Sequence, residues 1–184
     1  MNSTVKDAPL ISDDYRAMQQ ELHLNPNYGV ASVTYAPLVG EIIAARGYTE
    51  VLDYGAGKGR LGQTLRQQME KPPLVHHYDP AIPGWSARPE PCTFVACIDV
   101  LEHIEPDYLP HVLDDLKRLV VKAGIFTVAT GPAVKVLKDG RNAHLIQKPI
   151  AWWLPMFMER FDLYAFNRMP DGFWILVEPL PPAK

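Results

Sequence analysis

Residues 50–59 read EVLDYGAGKG, and the character of the chain changes halfway along them. Glu50 to Tyr54 is a short β-type run. Gly55, Gly57 and Gly59 then alternate with Ala56 and Lys58, and Arg60 to Met69 follows with good helix formers and apolar Leu61 and Leu65. Glycines at such spacing let the backbone turn sharply and approach a bound molecule closely at the mouth of a helix. The stretch therefore predicts strand, tight glycine turn and helix, with a ligand on the turn.

Working outward, Ala31 to Arg46 carries Tyr35, Leu38, Val39, Ile42 and Ile43 at near-helical spacing despite Pro37, and Gly47 stands where a C-terminal cap belongs. Residues 1–14 are polar. Asp13 and Asp14 are placed to cap a helix over Tyr15 to Leu22, which Asn25-Pro26-Asn27 ends. Downstream, Pro72-Pro73 closes the helix after the glycine turn. Leu74 to Tyr78 reads as a second strand ending at Asp79-Pro80, and the proline-rich residues 80–91 read as loop.

Phe94 to Val100 is a third strand, Pro106 to Val120 a helix and Gly124 to Thr130 a further strand. Gly131 to Lys148 reads as a long loop and Ala151 to Phe161 as a helix. Asp162 to Asn167 and Phe173 to Val177 read as strands joined at Pro170-Asp171-Gly172. Alternating βαβ units closed by a hairpin predict an α/β fold, a Rossmann-like, doubly wound, mostly parallel sheet ending in an antiparallel hairpin, as a single domain over residues 1–184. Within it, residues 1–48 are expected to form a helical cap, 49–130 a cofactor-binding core, and 131–184 an acceptor-side loop, helix and terminal hairpin. In such sheets ligands bind at the carboxyl ends of the strands.

Gly57-x-Gly59-x-x-Gly62 also satisfies the dinucleotide pattern, with Asp79 where a ribose-binding carboxylate is expected, so a nicotinamide-dependent oxidoreductase is a rival reading. Asp53 argues against it. A carboxylate at the strand tip opposes a pyrophosphate and favours a positively charged ligand. S-adenosylmethionine carries ammonium and sulfonium charges and no phosphate.

Three strings together resemble the class I S-adenosylmethionine-dependent methyltransferases. VLDYGAGKG is similar to their first motif, YDPA to their second-strand acidic motif, and CIDVLEHIEP to their fourth-strand motif. The resemblance spans roughly residues 50–130, and GPAVKVLKDGRNAHLIQKP is similar to small methyltransferases of bacterial and phage genomes. It implies that Gly55, Ala56, Gly57 and Gly59 wrap the methionine part and that Asp53 helps orient its ammonium. Asp79 would bind the ribose hydroxyls, and Asp99, Val100 and Leu101 would line the methionine and sulfonium side. The stretch between Asp79 and Phe94 is too short for the family's usual third strand, which leaves Pro80, Ala81 and Trp85 as candidates for the adenine pocket. In similar enzymes an N-terminal extension closes over the cofactor, a role that falls here to Tyr28 and Gly29.

Methyl transfer is an in-line displacement, so placing donor and nucleophile accounts for most of the effect and a base is optional. Two histidines are the catalytic candidates. His103, just past the third strand, is placed to take a hydroxyl proton, although Glu102 and His103 in this string also suit a role in orienting the loop. His144 lies on the long loop where an acceptor enters, and a solvated loop is the other reading there. Trp152 and Trp153 are expected to pack, and His76 and His77 to be structural. No metal-binding spacing is visible, so no metal is expected.

The formal net charge of -3 offers no overall attraction to polyanions. Cys92 and Cys97 are too few for a disulfide framework and are read as reduced. No signal-like or membrane-spanning run is seen, and a cytoplasmic location is expected. An Asp-Pro-Pro-Tyr motif for DNA base methylation is absent, because Asp79-Pro80 continues into Ala81-Ile82. A small-molecule or sugar-like hydroxyl is the expected acceptor; RNA stays open, as does a protein that binds the cofactor without turnover.

Overall fold

The computed structural model describes residues 8–26 and 28–182. Asn27, part of the stretch read as ending the first helix, and residues 1–7 lie outside it. The described chain runs α1 (Asp13–His23), α2 (Ala31–Arg46), β1 (Glu50–Tyr54), α3 (Arg60–Gln68), β2 (Leu74–Tyr78), β3 (Cys92–Ile98), α4 (Leu109–Leu119), β4 (Val120–Ala129), α5 (Ile150–Met158), β5 (Phe161–Met169) and β6 (Gly172–Pro179).

All six strands form one sheet in the order β2-β1-β3-β4-β6-β5. The pairs β1–β2, β1–β3 and β3–β4 are parallel, and β6 joins β4 and β5 antiparallel. The Rossmann-like, doubly wound sheet with its terminal hairpin is thus as expected from sequence. Because β2 and β3 flank β1 on opposite sides, the chain reverses direction beside β1, and a crevice opens at the carboxyl ends of these strands.

The two faces of the sheet are covered by different helices, which the period-two alternation of β3 makes plain. Phe94, Ala96 and Ile98 pack with Val39 and Ile43 of α2 and Leu61 and Leu65 of α3. Val95 and Cys97 face the opposite core, built with Leu113 and Leu116 of α4 and Trp153 and Phe157 of α5. A third, small cluster joins Tyr15 of α1 to Leu137 and Ala143 of the long loop, so the N-terminal helix and that loop support each other above the sheet.

Several boundaries differ from the sequence reading. β3 stops at Ile98 rather than Val100, because Asp99 takes φ 58 and leaves the extended ladder. A 3₁₀ turn over Pro106–Tyr108 precedes α4, which starts at Leu109. β4 begins at Val120, and Phe161 opens β5 instead of closing α5. Among the described residues no helix is long and apolar enough to cross a membrane. Cys92 and Cys97 are free and buried.

Candidate active site

A cavity of about 830 Å³ opens at the carboxyl ends of β1, β2, β3 and β4, within the range of about 300–1,000 Å³ usual for small-molecule sites. One wall is the glycine turn. Gly55 has φ 77, and a Cβ there would stand 2.4 Å from Val100 Cγ2. Gly57 has φ 52, and a Cβ there would stand 2.9 Å from the His23 ring. A side chain at either position would fill the space where backbone now borders the cavity.

Asp53, the last residue but one of β1, is buried and lines the same wall. Its Oδ2 makes no hydrogen bond; His77 Nδ1 stands 3.5 Å away, an ion-pair distance without hydrogen-bond geometry. Desolvation raises the carboxyl's pKa, against the pull of His77. A buried carboxylate with an orphaned oxygen is stabilised by a cationic group entering the cavity. A ligand ammonium meets that requirement; a pyrophosphate does not.

Asp79, just beyond β2, closes the opposite side. Its Oδ2 accepts from Gly57 N–H at 2.9 Å and its Oδ1 from Ala81 N–H at 2.9 Å. Each carboxylate oxygen keeps a further lone pair for a hydroxyl donor. The two acidic strand tips and the glycine turn therefore match an adenosyl group bearing a positively charged amino-acid tail.

The other side of the cavity is built by histidines. His103 Nδ1 lies 2.8 Å from Ala143 O, and His144 Nδ1 lies 2.7 Å from Gly131 O. A carbonyl only accepts, so both Nδ1 atoms carry a proton, and in the neutral form of such a ring the lone pair sits on Nε2. The rings meet edge to face with centroids 4.7 Å apart. Burial is the main force that lowers the His103 pKa to about 4, so this imidazole is neutral at pH 7.

Glu102 does the loop-orienting work. Its Oε1 accepts from Ala129 N–H at 2.6 Å, and its carbonyl accepts from Ile146 N–H at 2.9 Å. It ties the segment after β3 to the end of β4 and to the long loop. Burial first, and Asp99 second, push its carboxyl pKa well above the usual range.

Of the residues singled out in the sequence, the cavity gathers Tyr28, Gly29, Asp53, Gly55, Ala56, Gly57, Asp79, Pro80, Ala81, Asp99, Val100, His103 and His144. Three stand elsewhere. Leu101 is buried in the core among Leu109 and Val112, because the 3₁₀ turn after β3 points it inward. Gly59 caps α3 with φ 65, facing His77 and Trp85. Trp85, outside the cavity lining, stacks on His77 with centroids 4.5 Å apart.

Sequence reasoning missed the inner face of α1. Tyr15, Gln19 and His23 line the cavity. Tyr15 Oη donates to His103 O at 2.6 Å, Gln19 Nε2 donates to Tyr15 Oη at 2.6 Å, and Tyr28 Oη donates to Gln19 Oε1 at 3.2 Å. The signal was the spacing Tyr15, Gln19, His23, one residue every turn on one helix face. Lys58 Nζ fastens the segment beyond α1 through the carbonyls of Asn25 and Tyr28.

The model of a methyltransferase-domain family matches residues 34–168. No curated protein matches the sequence. Among solved structures, the 1,6-didemethyltoxoflavin-N1-methyltransferase of Burkholderia thailandensis, with bound 1,6-didemethyltoxoflavin and S-adenosylhomocysteine, superposes with a TM-score of 0.66 at 17% identity, covering 95% of this chain and 93% of that one. An O-methyltransferase family protein of the same organism gives 0.65 at 14% identity, over 95% of this chain and 64% of that one. Magnesium protoporphyrin IX methyltransferase of Synechocystis, with bound S-adenosylmethionine, gives 0.55 at 14% identity, over 98% and 100%. At these identities the likeness is one of fold.

Proposed function

The chain belongs to this methyltransferase-domain family, and from that premise we propose that it transfers the methyl group of S-adenosylmethionine to a hydroxyl of a small-molecule or sugar-like acceptor. The observation that carries the reading is the buried Asp53 carboxylate, one oxygen of which lacks a hydrogen-bond partner, lining the same cavity as the glycine turn and Asp79.

In this reading Asp53 receives the ammonium, the turn Gly55–Gly57 borders the methionine chain, and Asp79 accepts from the ribose hydroxyls. Pro80 and Ala81 line the adenine side, Tyr28 and Gly29 close over the donor, and Asp99 and Val100 border the sulfonium. S-adenosylmethionine supplies an electrophilic methyl carbon activated by the neighbouring positive sulfur. His103 and His144 are the catalytic residues, because they build the side of the cavity where the acceptor hydroxyl is held. As the acceptor oxygen bonds to the methyl carbon, the carbon–sulfur bond breaks and its electron pair stays on sulfur. The hydroxyl proton leaves to solvent. Holding the two partners in line supplies about 7–11 kcal/mol of barrier lowering in well-oriented systems.

The test is calorimetric binding of S-adenosylmethionine, S-adenosylhomocysteine and NAD to the purified chain and to Asp79→Ala, followed by incubation with hydroxyl acceptors. Micromolar binding of the adenosyl ligands, weakened in Asp79→Ala, with release of S-adenosylhomocysteine when an acceptor is supplied, is expected. Binding of NAD alone overturns the reading. Binding without turnover over a broad acceptor panel leaves a cofactor-binding module in its place.

A further inference from the structure

We propose that Asp99, His103 and His144 form a site for a divalent transition-metal ion on the acceptor side of the cavity. One carboxylate oxygen of Asp99 and one ring nitrogen of each histidine lie within 4.8 Å of one another. Atoms so placed share a point no more than about 2.8 Å from each, and side-chain shifts of less than about 1 Å bring it to the roughly 2.1 Å of a metal bond.

Four further observations point to the same ion. Both imidazoles have their Nδ1–H committed to a backbone carbonyl, Ala143 O for His103 and Gly131 O for His144. This outer-shell arrangement fixes the tautomer of a metal-binding histidine and leaves Nε2 as the donor. Asp99 is the only described residue other than glycine with a positive φ, 58°, and its N–H is held by Thr127 Oγ1 at 2.9 Å. Such a conformation persists where the surroundings impose it and is common at ligand sites. The neighbouring Glu102 is fully buried with Oε2 lacking any hydrogen-bond partner, and a cation among these residues offsets that uncompensated polar group. Finally, all three residues line the cavity, so coordination positions not taken by protein face the acceptor.

Two imidazoles and one carboxylate select manganese, iron, cobalt or zinc over magnesium or calcium, which prefer all-oxygen shells. A second grouping of possible ligands, Glu50, His76 and Cys92, carries no such case. Glu50 there is already bonded to Thr93 Oγ1 at 2.8 Å, and none of the three lines the cavity. The proposal departs from the sequence reading, which saw no metal-binding spacing and expected no metal; the three ligands come from two distant segments. The metal's role in the reaction rests on the methyl-transfer reading; its binding does not. In that reaction the cation holds the acceptor oxygen and lowers its proton affinity. The proton leaves to solvent, the oxygen–carbon bond forms, and the carbon–sulfur bond breaks with its pair on sulfur.

The experiment is titration of Co²⁺ alone into the purified full chain, followed by calorimetry and by the visible absorption of the ion, with S-adenosylhomocysteine affinity measured on the same samples. His144→Ala, His103→Gln and Asp99→Asn are compared, so that one misfolded variant does not decide the matter. One ion per chain is expected, with nitrogen-ligand absorption, bound at least about tenfold more weakly in each folded variant. S-adenosylhomocysteine affinity in His144→Ala is expected to stay within about twofold. No stoichiometric Co²⁺ binding, or binding untouched by all three substitutions, overturns the metal site while leaving the methyltransferase reading intact. Metal binding without S-adenosylhomocysteine binding overturns that reading and keeps the site.

Discussion

His103 and His144 come from different segments, one on the turn after β3 and the other on the loop after β4, yet their rings meet edge to face at 4.7 Å. Each is pinned by a carbonyl of the long loop or its start, Ala143 O and Gly131 O, so the loop builds this side of the cavity rather than merely covering it. Replacing Asn142, whose Oδ1 accepts from the N–H groups of Ala133 and His144 at 2.9 Å, should unfasten that arrangement. Asn142→Ala is expected to lower kcat with little change in S-adenosylhomocysteine affinity. Equal losses in both would show that the loop serves the cofactor instead.

Asp53 tests the charge argument directly. A hydrogen bond to a charged group is worth about 1.5–3 kcal/mol, or roughly 10- to 150-fold in affinity. Asp53→Asn should therefore weaken S-adenosylhomocysteine by about that factor. Adenosine, which has no ammonium, should bind within about twofold of wild type. A parallel loss for adenosine would remove Asp53 from the ammonium.

The glycine turn is sensitive to a single methyl group. Gly55→Ala places Cβ 2.4 Å from Val100 Cγ2 at a φ of 77. The clash and the positive φ together should cost about 2–4 kcal/mol in urea unfolding and abolish cofactor binding. Adding Val100→Ala should return part of the stability, because it removes the clash and not the backbone strain. No recovery in the double variant would place the whole cost in the backbone.

Tyr15 connects the helical cap to the site through His103 O. Tyr15→Phe removes that bond and leaves Gln19 Nε2 without its acceptor, a loss of about 1–2 kcal/mol. Faster amide exchange is expected across α1, with a quicker release of bound S-adenosylhomocysteine. Unchanged exchange over Asp13–His23 would show that α1 is held by its apolar contacts alone.

Below the sheet, Asp115 is fully buried between Arg88 at 3.2 Å and Arg118 at 2.9 Å, and accepts from Tyr54 Oη at 3.1 Å. Removing one partner of a buried ion pair costs about 3–5 kcal/mol, and the two arginines are about a fifth exposed. Asp115→Ala should therefore cost about 2–3 kcal/mol in chemical unfolding. A loss below about 1 kcal/mol would mark the cluster as effectively solvated.

The glycine turn, the parallel strands and the acidic tips Asp53 and Asp79 were legible in the sequence because each depends on local features: strand period, turn chemistry and the spacing of glycines. The residues from Asp99 onward were less so. Asp99 leaves the strand because Thr127 on the neighbouring strand holds its N–H, and Leu101 turns inward with the 3₁₀ turn that follows. Trp85 stacks on His77, a contact invisible to local pattern.

The sequence by itself determined the class of fold and the glycine-turn side of the cavity, since a strand, three alternating glycines and a helix specify one another over a few residues. Only the tertiary structure decided the histidine side. Asp99, His103 and His144 meet there through long-range contacts: Thr127 from β4, the buried Glu102 carboxyl that ties two segments together, and α1 packed on the loop. No periodicity within a single segment records contacts of that kind.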